Sequence, residues 1–318
     1  MLNNNCPLCK ASKEFKYLEA HIDNNKEYKL YECKVCRAQF WWPLKNPGAQ
    51  WYENDERYSD RNFDPILIPN WNHKKIISFL KNKTGKVLDI GCGVGTFLKH
   101  AQDNNWDTYG LDFDNDAIKA AQETFKLKNL EVCDLLTYHN KYPDKKFDLI
   151  TIFDVFEHID NHNEFIKTIF DMLSPGGYIA MSMPYRYGAT WLKPHDLPPR
   201  HLTRWDRRSL TQYLVKQNFK VKYKKILDTG YNFILMKLRF RYGKFFSFNL
   251  VGKIKQSKRS DNKIELNSSS EKMITKVHIL ARIKDLIIFG LPALLIWLAM
   301  LPFKKRYVTL YVIAQKNE

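Results

Sequence analysis

Apolar and polar positions change their period along this chain, and each change marks an element. Between Lys13 and Cys36 they alternate on either side of "DNN", the pattern of a β-hairpin. "WNHKKIISFLKNK", from Trp71, has helical spacing and leads to Gly85. From there short buried runs recur with amphipathic stretches between them: "KVLDI" (Lys86 to Ile90), a strand ending in "GLDFD", one near "LEVC", "KFDLITIF", and "SPGGYIAMSMP" ending near Pro184. "RRSLTQYLVKQ" reads as a helix that Asp206 can cap, "FKVKYKKILDTGYNF" as a sixth strand, and the alternating "RYVTLYVIAQK", Arg306 to Lys316, as a seventh. Repeated strand–helix units with polar residues at successive strand ends describe a doubly wound α/β parallel sheet with its site at the carboxyl edge.

One run fits neither period. "LIIFGLPALLIWLAMLPFKKR" holds no charge from Leu286 to Phe303, and then come Lys304, Lys305 and Arg306. Eighteen uncharged residues are at the short edge for a membrane-spanning helix, and Gly290, Pro292 and Pro302 interrupt them. Before the run, Met273, Ile274, Val277 and Leu280 share one helical face, with Lys272 and Lys276 beside it. Charge supports the same reading. Of the net +17, residues 221–318 carry +14, with 20 Lys+Arg against 6 Asp+Glu. A basic excess beside an apolar run favours a monotopic anchor that dips into the cytoplasmic leaflet and returns. The alternatives are an apolar helix pair covering the core or a dimer contact. "MLNNNCPLCK" lacks a charged start followed by an apolar stretch, so the body of the protein is expected in the cytoplasm, peripheral or monotopic on the membrane.

Cys6, Cys9, Cys33 and Cys36 stand as two CxxC knuckles, the spacing of a four-cysteine structural zinc site in a ribbon too small to hold itself together by a core. Cys92 and Cys133 are expected to be buried or site-lining thiols without chemistry. "WWPLKNPGAQWYENDERYSDRNFDPILIPN" reads as a connecting segment wrapped on the next domain, since a free linker would not carry three Trp. The expected division is therefore 1–40 zinc module, 41–74 aromatic connection, 75–235 core, 236–305 basic and apolar insertion, and 306–318 closing strand.

The glycines at 91, 93 and 95 remove side chains where backbone approaches a ligand, and Thr96 stands where a dinucleotide fingerprint would want its third glycine. Asp89 suits a ligand bearing an ammonium group. Asp112 can accept both ribose hydroxyls, Phe113 can pack on a purine, and Asp134 can meet an exocyclic amine or simply cap a helix. Asp154 ends the fourth strand. "VLDIGCGVG", "GLDFD", "CD" and "FDVFEHI", in that order, resemble a class I S-adenosylmethionine-dependent methyltransferase over about residues 75–235 and the closing strand. The resemblance implies a seven-stranded Rossmann-like sheet with an antiparallel last strand. It also implies a glycine loop and Asp89 at the methionine part, Asp112 at the ribose and Asp134 at the adenine. "FEHI" and "PPRHLTRW" resemble the subgroup that contains quinone, sugar and small-molecule methyltransferases.

Because a sulfonium is already a good leaving group, the protein mainly aligns the acceptor, and a base helps where the acceptor is a hydroxyl or acidic carbon. The candidates are Glu157, His158, Tyr185 and His201. His201 is expected at the mouth of the site on a proline-extended loop, unless it only fastens that loop. His158 is the second candidate, unless it caps the following helix. In some relatives of this subgroup an acid–imidazole pair after the fourth strand binds a divalent ion; one acid and one imidazole are too few donors to expect that here. The expected acceptor is a small or lipid-linked molecule at the membrane surface (a lipid-linked sugar, a glycan or a quinone-like lipid). RNA is the alternative, weakened because residues 1–40 carry a net of only +2. The oligomeric state is left open.

Overall fold

The computed structural model describes residues 5–12, 15–48, 51, 70–81, 83–187, 196–228, 231, 234–235, 238, 242, 286–302 and 307–317. Its contacts divide the chain into two units, 1–227 with 307–318, and 228–306.

The larger unit is built on a seven-stranded sheet. In chain order its elements are α1 (Trp71–Phe79), β4 (Lys86–Ile90), α2 (Thr96–Gln102), β5 (Asp107–Asp112), α3 (Asn115–Phe125), β6 (Asn129–Val132), α4 (Leu135–Lys141), β7 (Phe147–Phe153), α5 (His162–Met172), β8 (Leu173–Pro184), α6 (Arg207–Lys216), β10 (Phe219–Asp228) and β11 (Tyr307–Lys316). The strand order is β10-β11-β8-β7-β4-β5-β6. β4 runs parallel to β5 and β7, β5 to β6, and β7 to β8, whereas β11 is antiparallel to β8. Strands flanked on both sides and covered on both faces are largely apolar, and Val87, Leu88 and Ile90 of β4 are all buried, with Asp89 the buried polar exception. Helix starts carry their own signals: Asn70 caps α1, Asp114 caps α3, Asp134 caps α4, and Asp206 forms a capping box with Ser209 at α6. The seven-stranded sheet with its antiparallel last strand is the expected one.

A second sheet has the order β1-β2-β3-β9, from β1 (Phe15–Asp23), β2 (Lys26–Cys33), β3 (Gln39–Trp42) and β9 (Thr203–Arg204). The hairpin turns at Asn24 and Asn25, whose φ values of 46° and 62° are those of a type I′ turn. This sheet crosses one of the expected boundaries. β3 runs through the boundary placed after residue 40, and it pairs with β9, so Phe40 faces Thr203. Arg204 adds charge to the join, bonding Glu19 at 2.9 Å and Asp196 at 2.7 Å. Buried Arg186 lies 3.1 Å from Glu32 and 3.3 Å from Asp206. The amino-terminal hairpin is thus stitched to the loop before α6. Of the aromatic connection, residues 49–50 and 52–69 lie outside the described residues.

In the smaller unit a π-helical turn, Leu286–Gly290, leads into α7, Leu291–Met300. Pro292 lies in the first turn of α7, where its missing N–H costs nothing, so it starts this helix and does not break it. Ile287, Leu291 and Leu295 are 70%, 62% and 58% exposed. Among the described residues, no helix is long and apolar enough to cross a membrane. The amphipathic stretch around Met273 and the basic trio Lys304–Arg306 lie outside the described residues.

Gly110 on β5 tests how closely the sheet is packed. A Cβ there would lie 2.6 Å from Leu98 Cδ1 and 2.8 Å from both Cys92 Sγ and Leu130 Cδ2. Gly110→Val is therefore expected to destabilise the chain by about 1–3 kcal/mol, the cost of overpacking a filled core. A lowered urea midpoint is the readout, and an unchanged midpoint would mean the sheet is looser than described.

Candidate functional site

Five parallel strands end at one edge, and the turn after β4 is its centre. The N–H groups of Gly91 and Cys92 both donate to Leu111 O, at 2.8 and 2.9 Å, which fastens the loop to the end of β5. Gly91 has φ 74°, and a Cβ on it would strike Val155 Cγ2 at 2.3 Å. Gly93 has φ 52° with nothing within 4 Å of where its Cβ would stand, so the backbone there presents an open face. Gly95 is closed over by Leu127 and Ala121, so its part is helix packing and not ligand approach.

Asp112 is held against this loop. Its Oδ2 accepts from Gly93 N at 2.7 Å and its Oδ1 from Asp114 N at 2.9 Å, leaving further lone pairs on each oxygen for a diol. Burial raises its pKa against the pull of those N–H groups. Asp89 is 3% exposed under the turn, and Thr151 Oγ1 donates to its Oδ1 at 2.6 Å. Burial pushes Asp89 up to about 7, with the Thr151 bond opposing and the Asp112 charge adding. Two desolvated carboxylates beside an open glycine backbone are an arrangement that a cationic ligand with ribose hydroxyls fits. Phe113 is 43% exposed at the end of β5. Asp134 is exposed and caps α4, accepting from Thr137 N at 2.7 Å and Thr137 Oγ1 at 3.1 Å.

After β7, Asp154 adopts φ 56°, an uncommon conformation for a residue with a side chain, and accepts from Ser182 Oγ at 3.1 Å. The chain then turns through Val155, which abuts Gly91, into a 3-10 turn, Phe156–His158. Glu157 is 1% exposed, and its carbonyl accepts from Leu202 N at 2.8 Å, which brings the loop before β9 onto this turn. Three of the four expected catalytic side chains meet here. Glu157 Oε1 lies 4.0 Å from His158 Nε2 and 4.0 Å from His201 Nε2, and the two imidazoles meet edge-on at 4.8 Å between ring centres. His158 Nδ1 bonds the Arg200 carbonyl at 2.6 Å, and His201 Nδ1 bonds Asp196 Oδ1 at 3.0 Å. Burial, then the Asp154 charge, drives the Glu157 carboxyl well above the usual range. Tyr185 stands apart, bridged to Trp205 at the end of β8.

Some expectations are corrected. The His201 loop is not extended: His201 N closes a turn onto Leu197 O at 3.1 Å, because Asp196 holds both His201 and Arg204. His158 caps no helix; α5 begins after Asn161. The donors after β7 number three and not two, because the loop before β9 folds back. Asp196 and Arg204 were not singled out in the sequence, although both flank His201 in "HDLPPRHLTR".

The four knuckle cysteines form a second cluster. Cys6 Sγ lies 3.9 Å from Cys36 Sγ, and Cys9 Sγ 3.8 Å from Cys33 Sγ, all four being buried. Four sulfurs at about 2.3 Å from one ion stand about 3.8 Å apart along each tetrahedral edge, so the donor set fits Zn2+. Cys92 is buried and Cys133 half-buried.

Asp89 makes stability depend on pH. Its folded pKa lies above the unfolded value, so its contribution is full below about pH 4 and is lost as pH rises through about 7. Without ligand, the urea midpoint of Asp89→Asn is expected to fall less between pH 5.5 and 8 than that of the parent chain. Parallel pH profiles would mean that Asp89 is not desolvated.

A methyltransferase-domain family model matches residues 70–224. Among curated relatives, the ubiquinone biosynthesis O-methyltransferase of Glaesserella parasuis serovar 5 is 29% identical over 133 residues, 38% of this chain and 55% of that protein. The enzyme of the same name from Psychrobacter cryohalolentis is 28% identical over 168 residues, 46% of this chain and 63% of that protein. The chain thus spans only about half to two thirds of these relatives' length. Of solved structures, phosphoethanolamine N-methyltransferase 2 of Haemonchus contortus, in complex with S-adenosyl-L-methionine, superposes with a TM-score of 0.56 at 16% identity, covering 95% of this chain and 71% of that one, a likeness of fold. The glycine loop and the carboxylates of its edge thus lie within the residues that resemble a methyltransferase domain, 70–224, on a seven-stranded sheet of the order expected for that fold.

Proposed function

We propose that this protein transfers a methyl group from S-adenosylmethionine to a hydroxyl of a membrane-associated acceptor, a lipid-linked sugar, a glycan or a quinone-like lipid, at the cytoplasmic face. The observation that carries this reading is the meeting of Glu157, His158 and His201 on the turn that begins at Val155, which touches the glycine loop. An N-methyltransferase can accept a free amine without such a cluster, whereas a hydroxyl must lose its proton as it attacks. The curated relatives' name, an O-methyltransferase of quinone biosynthesis, supports the same acceptor chemistry.

S-adenosylmethionine supplies a methyl group already activated on sulfur. Asp112 and the Gly93 backbone hold the ribose side, and Asp89 stabilises the cationic methionine side from beneath. Phe113 and Asp134 flank the adenine. Asp154 shapes the turn that brings Val155 over the loop. Glu157, His158 and His201 face the acceptor, with Tyr185 one strand away. Zinc at Cys6, Cys9, Cys33 and Cys36 is structural, bracing the sheet that holds β9 and so the His201 loop.

The membrane part of the reading rests on the insertion. β10 and β11 are neighbours in one sheet, so the chain between them must return to the side of any bilayer that it left. The exposed apolar side chains of α7, with the basic excess of the same third of the chain, suit a leaflet entered and left from one face.

Methyl-labelled S-adenosylmethionine added to membranes and cytosol of expressing cells should put label into the organic extract. Asp112→Ala should abolish that label and weaken S-adenosylmethionine binding by about 10–100-fold, the loss of charge-assisted hydrogen bonds. Label removed by nuclease would replace this reading with RNA methylation. For the cysteine cluster, the purified chain should hold one zinc that Cys33→Ser releases with a fall in Tm. Metal-free protein of unchanged Tm would remove the zinc.

A further inference from the structure

From the start of α6 to the end of β10 the chain reads "RRSLTQYLVKQNFKVKYKKIL", residues 207–227, with seven Lys and Arg and no Asp or Glu. All seven are exposed. β10 is the end strand of its sheet, and no described strand pairs with its outer side. Along it Lys220, Lys222 and Lys224 line an open groove of about 550 Å3, together with Thr211 and Val215 of α6 and with Tyr223. Lys224 Nζ donates to Thr211 Oγ1 at 3.4 Å, and among the described residues no carboxylate pairs with any of the three lysines. Tyr223 continues this surface toward α1. Lys75 Nζ lies 4.4 Å from its ring centre, the Trp71 ring 6.5 Å from it, and Lys225 Nζ 4.9 Å from the ring centre of Trp71. Val215 is 57% and Trp71 39% exposed.

Lysines on an end strand commonly do no more than keep it from pairing with another chain. A charge of either sign does that, and Arg207, Arg208 and Lys216 lie on α6, where no strand could pair. Seven like charges without one acid among them repel each other, and a polyanionic partner offsets that repulsion. We propose that the outer border of β10, with the groove it shares with α6, is the face on which the core meets the membrane, binding the phosphates of anionic phospholipid headgroups.

Four residues of strand separate Lys220 from Lys224, so the ammonium groups spread over about 13 Å. One phosphate cannot meet them all, whereas an array of headgroups can. Trp71 and Tyr223, each an apolar ring beside an ammonium group, suit the boundary between headgroups and acyl chains. RNA also brings a row of phosphates. β10, however, ends at Asp228, where the chain enters the segment whose Ile287, Leu291 and Leu295 are exposed, and a leaflet takes apolar side chains as well as charge. This inference rests on the membrane part of the reading above and goes beyond it, because that reading needs only the insertion to touch the leaflet.

The test is flotation of the full chain with vesicles of phosphatidylcholine, and with vesicles in which phosphatidylglycerol replaces half of it. The parent should prefer the anionic vesicles, by a margin that shrinks with added salt. A lysine near such a surface is worth about fivefold in affinity, so Lys220→Gln, Lys222→Gln and Lys224→Gln together should weaken anionic-vesicle binding about 100-fold. Lys222→Glu alone keeps the border charged against strand pairing and should still weaken it by about tenfold or more. Lys119→Gln, Lys126→Gln and Lys128→Gln, at the β6 end of the sheet, remove as much charge as the first triple change. Six strand spacings, about 29 Å, separate the two borders, so this control should bind within about twofold of the parent. S-adenosylmethionine affinity and Tm should stay near the parent's in every variant. Equal loss in the two triple variants, or no loss at β10, would overturn the proposal. So would β10 lysines that are needed for binding polyuridylate RNA and not for vesicles. A parent that binds both kinds of vesicle equally would sink this inference and leave the membrane reading standing on the insertion. A parent that binds neither would sink that reading as well.

Discussion

Asp89, Asp112 and Glu157 stand at the carboxyl edge of one sheet, and burial raises the pKa of all three. Taking carboxylates out of water is expensive unless something positive meets them, and the rest of the edge is arranged around that requirement. Thr151 and the N–H groups of Gly93 and Asp114 answer part of it with fixed dipoles. The remainder is an electrostatic demand directed outward, toward ligands that bring their own positive charge. In the function proposed above, this balance is what would favour a sulfonium cofactor over a neutral or anionic nucleoside.

The amino-terminal hairpin acquires a purpose from the same edge. β9 is only two residues long and could not hold a loop by itself. Pairing with β3, the Arg204 bonds to Glu19 and Asp196, and the contacts of Arg186 make it the border of a braced sheet. A metal centre among four cysteines would then act at a distance, through backbone rigidity, on where one imidazole points.

Local signals were legible before any coordinates. The glycine loop, the carboxylates at strand ends, the caps at Asp134 and Asp206 and the two CxxC knuckles each depend on residues close together in the chain. Even the distant closing strand could be read, since the alternation of "YVTLYVIAQK" has no other good home. The partnership of His201 with Glu157 and His158 was not legible, because it depends on a hydrogen bond from Leu202 N to Glu157 O that leaves no periodic trace. The pairing of β3 with β9 was hidden too: two residues are too few to show a strand period. Nothing in the local pattern marks Arg186 and Arg204, and only the burial of their side chains between separated acids distinguishes them.

β11 lies between β8 and β10, although it follows both in the chain by a long interval. During synthesis β10 leaves the ribosome with no neighbour, since β11 is its partner in the sheet and comes later. The apolar stretch of residues 286–302 emerges before that partner does. A nascent chain therefore meets whatever surface accepts those residues while its catalytic sheet is still open at one side. In the order of synthesis, exposure of the apolar stretch comes first and closure of the sheet second.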